Sequence, residues 1–243
     1  MKDMAKKAVA IAILIILWWL AAVVVNNRIL PSPAVTFWAF VENWESISFH
    51  ALHSLRRLGG GVGLALLISI PIGMLMGYFK AIDTFFAPII YILAPIPKVV
   101  FLPLIMLFLG LGDIARIFLL FITISFPITI ALRDAVKKIP ADVYAPLIAA
   151  KLSPLFIFYN VAFLGGLPAV FTAVRLSLAV GMSVLFISEN FGTRMGLGYF
   201  IMESWTMVRY PAMFAGILAM GTLGIILTAL VNFLQKRICP WTK

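Results

Sequence analysis

The chain has 243 residues, of which 63% are hydrophobic and only 12% are charged. Soluble domains carry about 25% charged residues, so this composition excludes a soluble enzyme, a disordered chain and a conventional nucleic-acid-binding protein. The formal net charge of +10 fits a membrane protein instead, because Lys and Arg gather in its cytoplasmic loops. The single cysteine excludes a multi-cysteine metal site, and we expect no bound metal and no nucleic-acid partner.

The N-terminal region contains an apolar run at 8–25 that is long enough to cross the hydrocarbon core as a helix. No small-residue cleavage pattern follows this run, so residues 1–27 are predicted to be an uncleaved transmembrane anchor rather than a signal peptide. The more polar residues 28–57 are predicted to form an extracytoplasmic loop with a short interfacial helix. Two histidines of this loop, His50 and His53, are expected to be solvated rather than to bind a metal.

A membrane core of five further spans is predicted over residues 58–235. Its first span, 58–79, holds glycine pairs that are either close-packing motifs or ordinary membrane-helix glycines. Residues 84–112 contain four prolines and are too short for two spans, so we predict one span broken near 95–98. The other spans are predicted at 114–132, 171–187 and 213–234.

The basic residues predict the orientation of these six spans. With both termini inside, eleven Lys and Arg residues lie in the cytoplasm and six lie outside, whereas Lys98 and Arg175 lie at or within spans. The inverted arrangement reverses this ratio. We therefore predict cytoplasmic termini, a cytoplasmic tail at 236–243 and a cytoplasmic segment at 133–167.

The cytoplasmic segment at 133–167 is too apolar for a simple interhelical loop, since Leu-Phe-Ile-Phe-Tyr stands at 155–159. Such a run needs cover from a partner or from the headgroup region. Pro140 is predicted to begin a short helix, and Pro146 and Pro154 are predicted to cut the segment into short pieces. The run 165–168, Gly-Gly-Leu-Pro, is expected to return the chain to the membrane. We interpret the segment as a surface against which a soluble partner binds.

Four stretches of the chain, taken together, resemble the sequences of one known protein family. They are 54–57 before the glycine-rich span, 95–104 with 108–113, 125–129, and 188–192 with 196–201. Together they cover most of residues 54–235. In this order they resemble the permease subunit of bacterial ABC importers, in the branch that serves nitrate, sulfonates, taurine and vitamin or pyrimidine precursors.

The resemblance implies an all-α type I ABC importer-like permease fold with about six transmembrane helices in the bacterial inner membrane. It implies a second permease subunit, identical or different, two ATPase subunits and an extracytoplasmic substrate-binding protein. The sequence holds no Gly-x4-Gly-Lys-Ser/Thr phosphate loop, so ATP and Mg²⁺ are expected on the ATPase subunits and none on this chain.

The function implied by the resemblance is import of a small solute by alternating access. The solute would be a small anion such as nitrate, a sulfonate or taurine, or else a vitamin precursor. The chain would be a pore-forming subunit surrounded by lipid and not itself an enzyme. One alternative is a secondary carrier, although we find no inverted repeat in the sequence. Another is a membrane scaffold protein without transport activity.

The family's cytoplasmic signature is Glu-Ala-Ala, a glycine four positions beyond the second alanine, and a later Leu-Pro. Ala149 and Ala150 match it, whereas Ile148 and Pro154 stand at the glutamate and glycine positions. The departure falls on the element that would engage the ATPase. The residues expected at that contact are Ala149, Ala150, Lys151, Leu152, Ser153, Pro154, Leu155 and Phe156.

Polar groups in membrane spans usually face a bundle interior or a water-filled cavity, and we therefore consider them as pathway residues. The candidate pathway and gate residues are Ser125, Thr129, Ser183, Glu189, Asn190, Gly196 and Gly198. Alternatively, the hydroxyl groups satisfy their own backbone, and Glu189 is a solvated helix end or a structural ion pair. We predict that 189–198 forms the outer constriction, with Glu189 paired to Arg194 or to backbone donors.

Overall fold

A computed structural model describes residues 2–25 and 29–242, which form helices, turns and connecting segments with no strand in this part of the chain. The α-helices are α1 (Lys2–Val25), α2 (Pro33–Glu42), α3 (Trp44–Tyr78), α4 (Lys80–Leu93), α5 (Leu102–Leu109), α6 (Asp113–Lys137), α7 (Ala141–Ala149), α8 (Pro154–Ile157), α9 (Leu164–Glu189), α10 (Leu197–Thr206) and α11 (Tyr210–Ile238). A π-helical turn at Phe158–Phe163 joins α8 to α9, and a 3₁₀ turn at Lys98–Phe101 precedes α5.

Four helical segments of the described chain are long and apolar enough to cross a membrane: α3, α6, the continuous helix Pro154–Glu189, and α11. Helix α4 and the segment Lys98–Leu109 form an apolar pair bent by 82°, the geometry of a broken span or of a re-entrant loop, and the pair counts as a fifth span in the first case. The predicted break near 95–98 is therefore confirmed. The sixth predicted span requires α1, whose apolar part is the shorter helix Val9–Val25.

Lys98 forms hydrogen bonds with carbonyl groups at the break between α4 and α5. Its Nζ donates hydrogen bonds to the carbonyl oxygens of Leu93, Ala94 and Ile96 at 2.6, 3.0 and 2.8 Å. It also lies 4.6 Å from the centre of the Phe126 ring. The last carbonyl groups of a helix have no partner within the helix, and lipid offers none, so the lysine supplies donors where the prolines end α4.

The region 28–57 contains more helix than the predicted loop. Ser32 caps α2 by accepting a hydrogen bond from the Val35 amide at 3.4 Å, and α3 begins at Trp44 rather than at residue 58. Within α3, Ile47, His50 and Ser54 are buried at helical spacing. Burial of this face stabilises the helical conformation of residues 44–57, although their composition is more polar than that of the spans.

The cytoplasmic segment also differs from the prediction at two places. Pro146 lies inside α7 instead of dividing it, and the carbonyl that loses its donor belongs to Asp142 in the exposed first turn. The chain does not turn at 165–168, because the helix runs on from the π-helical turn into α9. Gly166 serves packing instead, since a Cβ there would lie 2.6 Å from Leu132. Pro140 precedes α7 as predicted.

The described residues separate into two compact units. The first unit covers Met1–Ser54 with Thr193–Leu223, and its core includes Ile47, Leu197 and Phe200. The second unit covers Leu55–Gly192 with Gly224–Lys243 and contains α6 packed against α9.

The glycines of α3 allow close contact with α6 inside the second unit. A Cβ on Gly61 would lie 2.5 Å from Leu120, and one on Gly77 would lie 2.6 Å from Val136 and 2.9 Å from the Arg133 carbonyl oxygen. These glycines are therefore close-packing positions. Gly63 is different, because a Cβ there would meet no atom within 4 Å.

We predict that Gly77→Ala lowers the stability of the purified protein by about 1–3 kcal/mol, because the new methyl group overlaps backbone that cannot rotate away. Thermal unfolding in detergent measures the change. Gly63→Ala is the matched control on the same helix and should leave the melting temperature unchanged or slightly higher. Equal melting temperatures for the two variants would contradict close α3–α6 packing at Gly77.

Candidate functional site

An aromatic cluster anchors the predicted coupling segment to the end of α3. Tyr78 at the end of α3 contacts Tyr144 of α7, with ring centres 6.2 Å apart, and Phe158 of the π-helical turn, at 5.2 Å. Phe79 stacks on Phe158 at 6.4 Å. Burial raises the pKa of the Tyr144 phenol, and the neighbouring Tyr78 adds a smaller effect in the same direction. The aromatic rings therefore join α7 and the π-helical turn to the end of α3.

The segment also exposes apolar side chains. Ile148, Leu155 and Phe156 are 62%, 76% and 48% exposed. Lys151 turns the chain between α7 and α8 with a left-handed φ of 57°, and Ser153 caps α8 by accepting from the Phe156 amide at 3.2 Å. The structure thus brings the eight predicted residues 149–156 into one helix–turn–helix.

This helix–turn–helix has the properties of a docking element. Apolar side chains exposed on a short helix are covered when the helix inserts into a groove of another protein. The aromatic contacts hold α7 against the end of α3, and the exposed apolar side chains remain available.

A buried ion cluster, here called the outer cluster, connects three helices at the other end of the second unit. Arg57 of α3 donates from Nε to Asp113 Oδ1 at 2.7 Å and from Nη1 to Glu189 Oε1 at 2.8 Å. Arg57 is 1% exposed and Glu189 is fully buried, whereas the Asp113 side chain is 39% exposed. The arginine therefore joins the start of α6 to the end of α9.

Arg116 reinforces the outer cluster through backbone contacts. It is fully buried and donates to the carbonyl oxygens of Leu111 at 2.6 Å, Gly112 at 2.8 Å and Ser188 at 3.2 Å. A fourth hydrogen bond goes to the Phe191 carbonyl oxygen. The guanidinium group thus bonds to carbonyl groups of the connection before α6 and of the end of α9.

The sequence prediction named Glu189 but not its ion-pair partner. It expected Arg194 or backbone donors, whereas the structure pairs Glu189 with Arg57. From sequence, Arg57 and Arg116 count only as basic residues outside the membrane, and neither they nor Asp113 are named as site residues. A signal was present, because Arg57, Asp113 and Glu189 each lie in one of the four stretches that carry the family resemblance.

The predicted hydroxyl groups of the spans bond to their own helices. Ser125 Oγ donates to Ile122 O at 3.4 Å, and Thr129 Oγ1 donates to the Ser125 carbonyl at 2.9 Å. Ser183 Oγ, which is exposed, donates to Ala179 O at 3.2 Å. This is the alternative that the sequence left open for these residues. Asn190 differs, since its Oδ1 is buried without a hydrogen bond among the described residues.

The two candidate glycines, Gly196 and Gly198, lie at the start of α10 in the first unit. Gly196 has a φ of 113°, which L side chains rarely adopt, and its amide donates to His50 Nδ1 at 3.1 Å. The Leu197 amide donates to Ser54 Oγ at 2.8 Å. His50 is therefore buried and bonded, in contrast to the solvated histidine that we expected. No three His, Cys, Asp or Glu residues of the described chain group around a metal position.

A second ion cluster, here called the inner cluster, joins α4 to the end of α6. Asp83 accepts hydrogen bonds from both Arg133 and Lys137. Arg133 also donates to the Tyr91 hydroxyl at 2.9 Å and to Asp134 Oδ1 at 2.7 Å. Sequence reasoning assigned these charges to the cytoplasmic side but did not pair them.

Comparison with known proteins places this geometry in a family. The model of the family described as "Binding-protein-dependent transport system inner membrane component" matches residues 69–240. The chain belongs to this family. It is therefore a permease component of a multi-pass inner membrane transport system, as the resemblance implied.

Individual relatives agree with the family assignment. The permease is 25% identical to the taurine transport system permease protein of Escherichia coli over 95% of this chain and 87% of that protein. It is 25% identical to a nitrate import permease protein of Synechocystis over 97% and 89% of the two chains. A putative ABC transporter permease of Methanocaldococcus jannaschii is 26% identical over 100% and 94%.

A solved structure supports the fold. A chain of the MetNI methionine ABC transporter, in a structure of its inward-facing conformations, superposes with a TM-score of 0.63. The superposition covers 85% of this permease and 97% of that chain at 21% sequence identity. The predicted importer-like permease fold is confirmed.

We predict that Glu189→Leu destabilises the permease by about 3–5 kcal/mol, because it leaves the buried Arg57 without one of its counter-charges. The double variant Arg57→Met/Glu189→Leu should lose less than the sum of the two single variants. Thermal unfolding of the four proteins in detergent gives the coupling energy. Additive losses would show that the buried pair has no net interaction.

Proposed function

We propose that this permease forms the translocation pathway of an ATP-driven importer together with a second permease subunit. Two ATPase subunits would complete the assembly, one of them docking on the helix–turn–helix at 149–156 of this chain, and an extracytoplasmic binding protein would deliver the solute. ATP and Mg²⁺ would bind to the ATPase subunits. The observation that carries the proposal is the exposed apolar side of this helix–turn–helix, anchored to α3 by Tyr78 and Tyr144.

The proposed orientation has both termini, the tail at 236–243 and the coupling segment at 133–167 in the cytoplasm. The anchor at 1–27 and the extracytoplasmic region 28–57 would precede a permease core at 58–235. The excess of basic residues on one side supports this arrangement. The outer cluster would then lie at the extracytoplasmic end of α6 and the inner cluster at its cytoplasmic end.

Alternating access would result from movement of the docking element. When ATP closes the ATPase pair, α7 and α8 would be displaced and would act on α3 through the aromatic cluster. The outer cluster would hold α3, α6 and α9 together on the extracytoplasmic side in one state. Nucleotide and loaded binding protein shift the equilibrium only through their different affinities for the two states.

The proposed pathway residues are those named from the sequence, Ser125, Thr129, Ser183, Glu189, Asn190, Gly196 and Gly198. Glu189 and Asn190 end α9, and the positive φ of Gly192 and of Gly196 gives the next loop a backbone that can fold back tightly. We propose that 189–198 forms the outer constriction. Glu189 would stabilise the closed gate through Arg57 and would not contact an anionic solute.

We propose a small anionic or zwitterionic solute as the substrate. Two of the relatives are named for taurine and nitrate. In this chain, Lys98 lines a groove of about 580 Å³ between the broken span, α6 and α9. A lysine in a span attracts anions, and binding sites of membrane transporters are often built at such interrupted helices.

We predict that Ala150→Glu weakens ATPase docking, because it places a charge in an apolar contact. Co-purification of the ATPase in mild detergent and ATP-driven uptake should both fall about tenfold or more. The fold should tolerate the change, since Ala150 is exposed at the end of α7.

Ala141→Glu is the matched control. It adds the same charge at the first residue of α7, where an acidic side chain suits the helix dipole and lies away from the turn. Uptake and co-purification should stay near wild type. Full activity of Ala150→Glu would count against docking at this segment.

We predict that Glu189→Gln opens the outer gate. It weakens the pair with Arg57, so the ATPase activity of the assembled transporter without binding protein should rise about threefold or more. The affinity of the isolated binding protein for its solute should not change.

Asp134→Asn provides the comparison at the opposite end of α6. It also converts an ion-paired carboxylate into an amide, but in the inner cluster. It should leave the unstimulated ATPase activity near wild type. An equal rise in both variants would show general loosening of the helices rather than a gate at Glu189.

A further inference from the structure

A third group of basic residues differs from the outer and inner clusters in having no carboxylate. Arg175 of α9 donates from Nη1 to Asn232 Oδ1 at 2.8 Å and from Nη2 to Thr172 Oγ1 at 2.9 Å. It also donates to Gln235 Oε1. All three acceptors are neutral, so they orient the guanidinium group without compensating its charge.

Two more cations share the same cavity. Lys236 and Arg237, in the last turn of α11, line with Arg175 a cavity of about 770 Å³. Arg237 lies over the Phe233 ring at 5.4 Å. Within the described part of the chain, none of the three cations forms an ion pair with Asp or Glu. The cavity therefore concentrates positive charge that the described protein groups do not neutralise.

The surroundings of the cavity indicate which kind of anion would neutralise its positive charge. The cavity is lined by residues at the end of the apolar helix α11, among them Phe233, which is 55% exposed. Ile238 and Trp241, the chain neighbours of the lining residues Arg237 and Pro240, are 45% and 51% exposed. Exposed aromatic and aliphatic residues next to Lys and Arg at the end of a span are typical of the headgroup level of a bilayer. At that level the abundant anion is the phosphate of a lipid, and basic pockets between membrane helices bind such headgroups.

We propose that this cavity binds the headgroup of an anionic phospholipid. Arg175, held in place by its amide partners, contacts the phosphate through its planar guanidinium group, which matches phosphate geometry. Lys236 and Arg237 add the charge that favours an anionic over a zwitterionic lipid. The acyl chains lie along the exposed apolar side chains of α11. The site rests on the family membership and not on the proposed docking or gate.

The test is native mass spectrometry of the purified permease with its co-purifying subunits. Phosphatidylglycerol and phosphatidylcholine with identical acyl chains are added at equal concentration. We expect wild type to retain phosphatidylglycerol at least fivefold better. Lys236→Gln/Arg237→Gln should reduce this preference to less than twofold. Arg175→Gln should reduce it as well.

The matched control is Lys80→Gln/Lys138→Gln, which removes two lysines that do not line the cavity. It should keep the wild-type preference. Arg175→Lys separates the effect of the planar guanidinium group from the effect of its charge, since lysine retains only the charge. This variant should keep a reduced preference for phosphatidylglycerol. Melting temperatures identify any variant that fails to fold. If the Arg175 variants do not fold, the lipid preference of the Lys236→Gln/Arg237→Gln variant tests the proposal.

Four results would overturn the proposal. One is equal retention of the two lipids by wild type, and another is an equal loss of preference in the cavity and control variants. The third is displacement of phosphatidylglycerol by millimolar glycerol phosphate, which would identify a site for a soluble phosphate. Protection of an Arg237→Cys thiol only when the ATPase is bound would identify an acidic protein surface as the occupant instead.

Discussion

The cost of a charge in lipid is the constraint on which this permease depends. Helix α6 carries its charged residues only at its two ends, Asp113 and Arg116 at one and Arg133, Asp134 and Lys137 at the other. Asp113 and Arg133 are twenty residues apart, so the two groups are separated by about 30 Å along the helix, which is the thickness of the hydrocarbon core. Between them α6 is free to be apolar and tightly packed.

Each group of charges then determines which helices meet α6. At one end Arg57 brings α3 and α9 to Asp113 through two charge-assisted hydrogen bonds. At the other end Asp83 brings α4 to Arg133 and Lys137. A buried ion pair adds little net stability compared with apolar packing, but an unpaired charge is strongly unfavourable. The pairs therefore specify the arrangement of the helices, and the apolar and glycine contacts between them supply the packing.

The parts of the fold that could be predicted from sequence are those set by local chemistry. Runs of apolar residues predicted α6 and α11, and proline content predicted the break before Lys98. Long-range pairing was not accessible in the same way. Arg57 and Glu189 are 132 positions apart, and nothing in the composition around either residue indicates the other. The start of α3 was also missed, because its buried face at Ile47 and Ser54 depends on partners distant in sequence.

The segment at 149–156 departs from the family's signature residues and still forms a turn between two helices. The family pattern places a glycine where this chain has Pro154, and glycine usually supplies a left-handed turn. Here Lys151 takes the left-handed conformation three residues earlier, and Ser153 with Pro154 begins the next helix as cap and first residue. In this chain Lys151 therefore reverses the backbone, and Ser153 and Pro154 begin the next helix. Replacement of the signature glutamate by Ile148 leaves an apolar side chain exposed on the same helix, so the surface offered to a partner is more apolar than the family pattern implies.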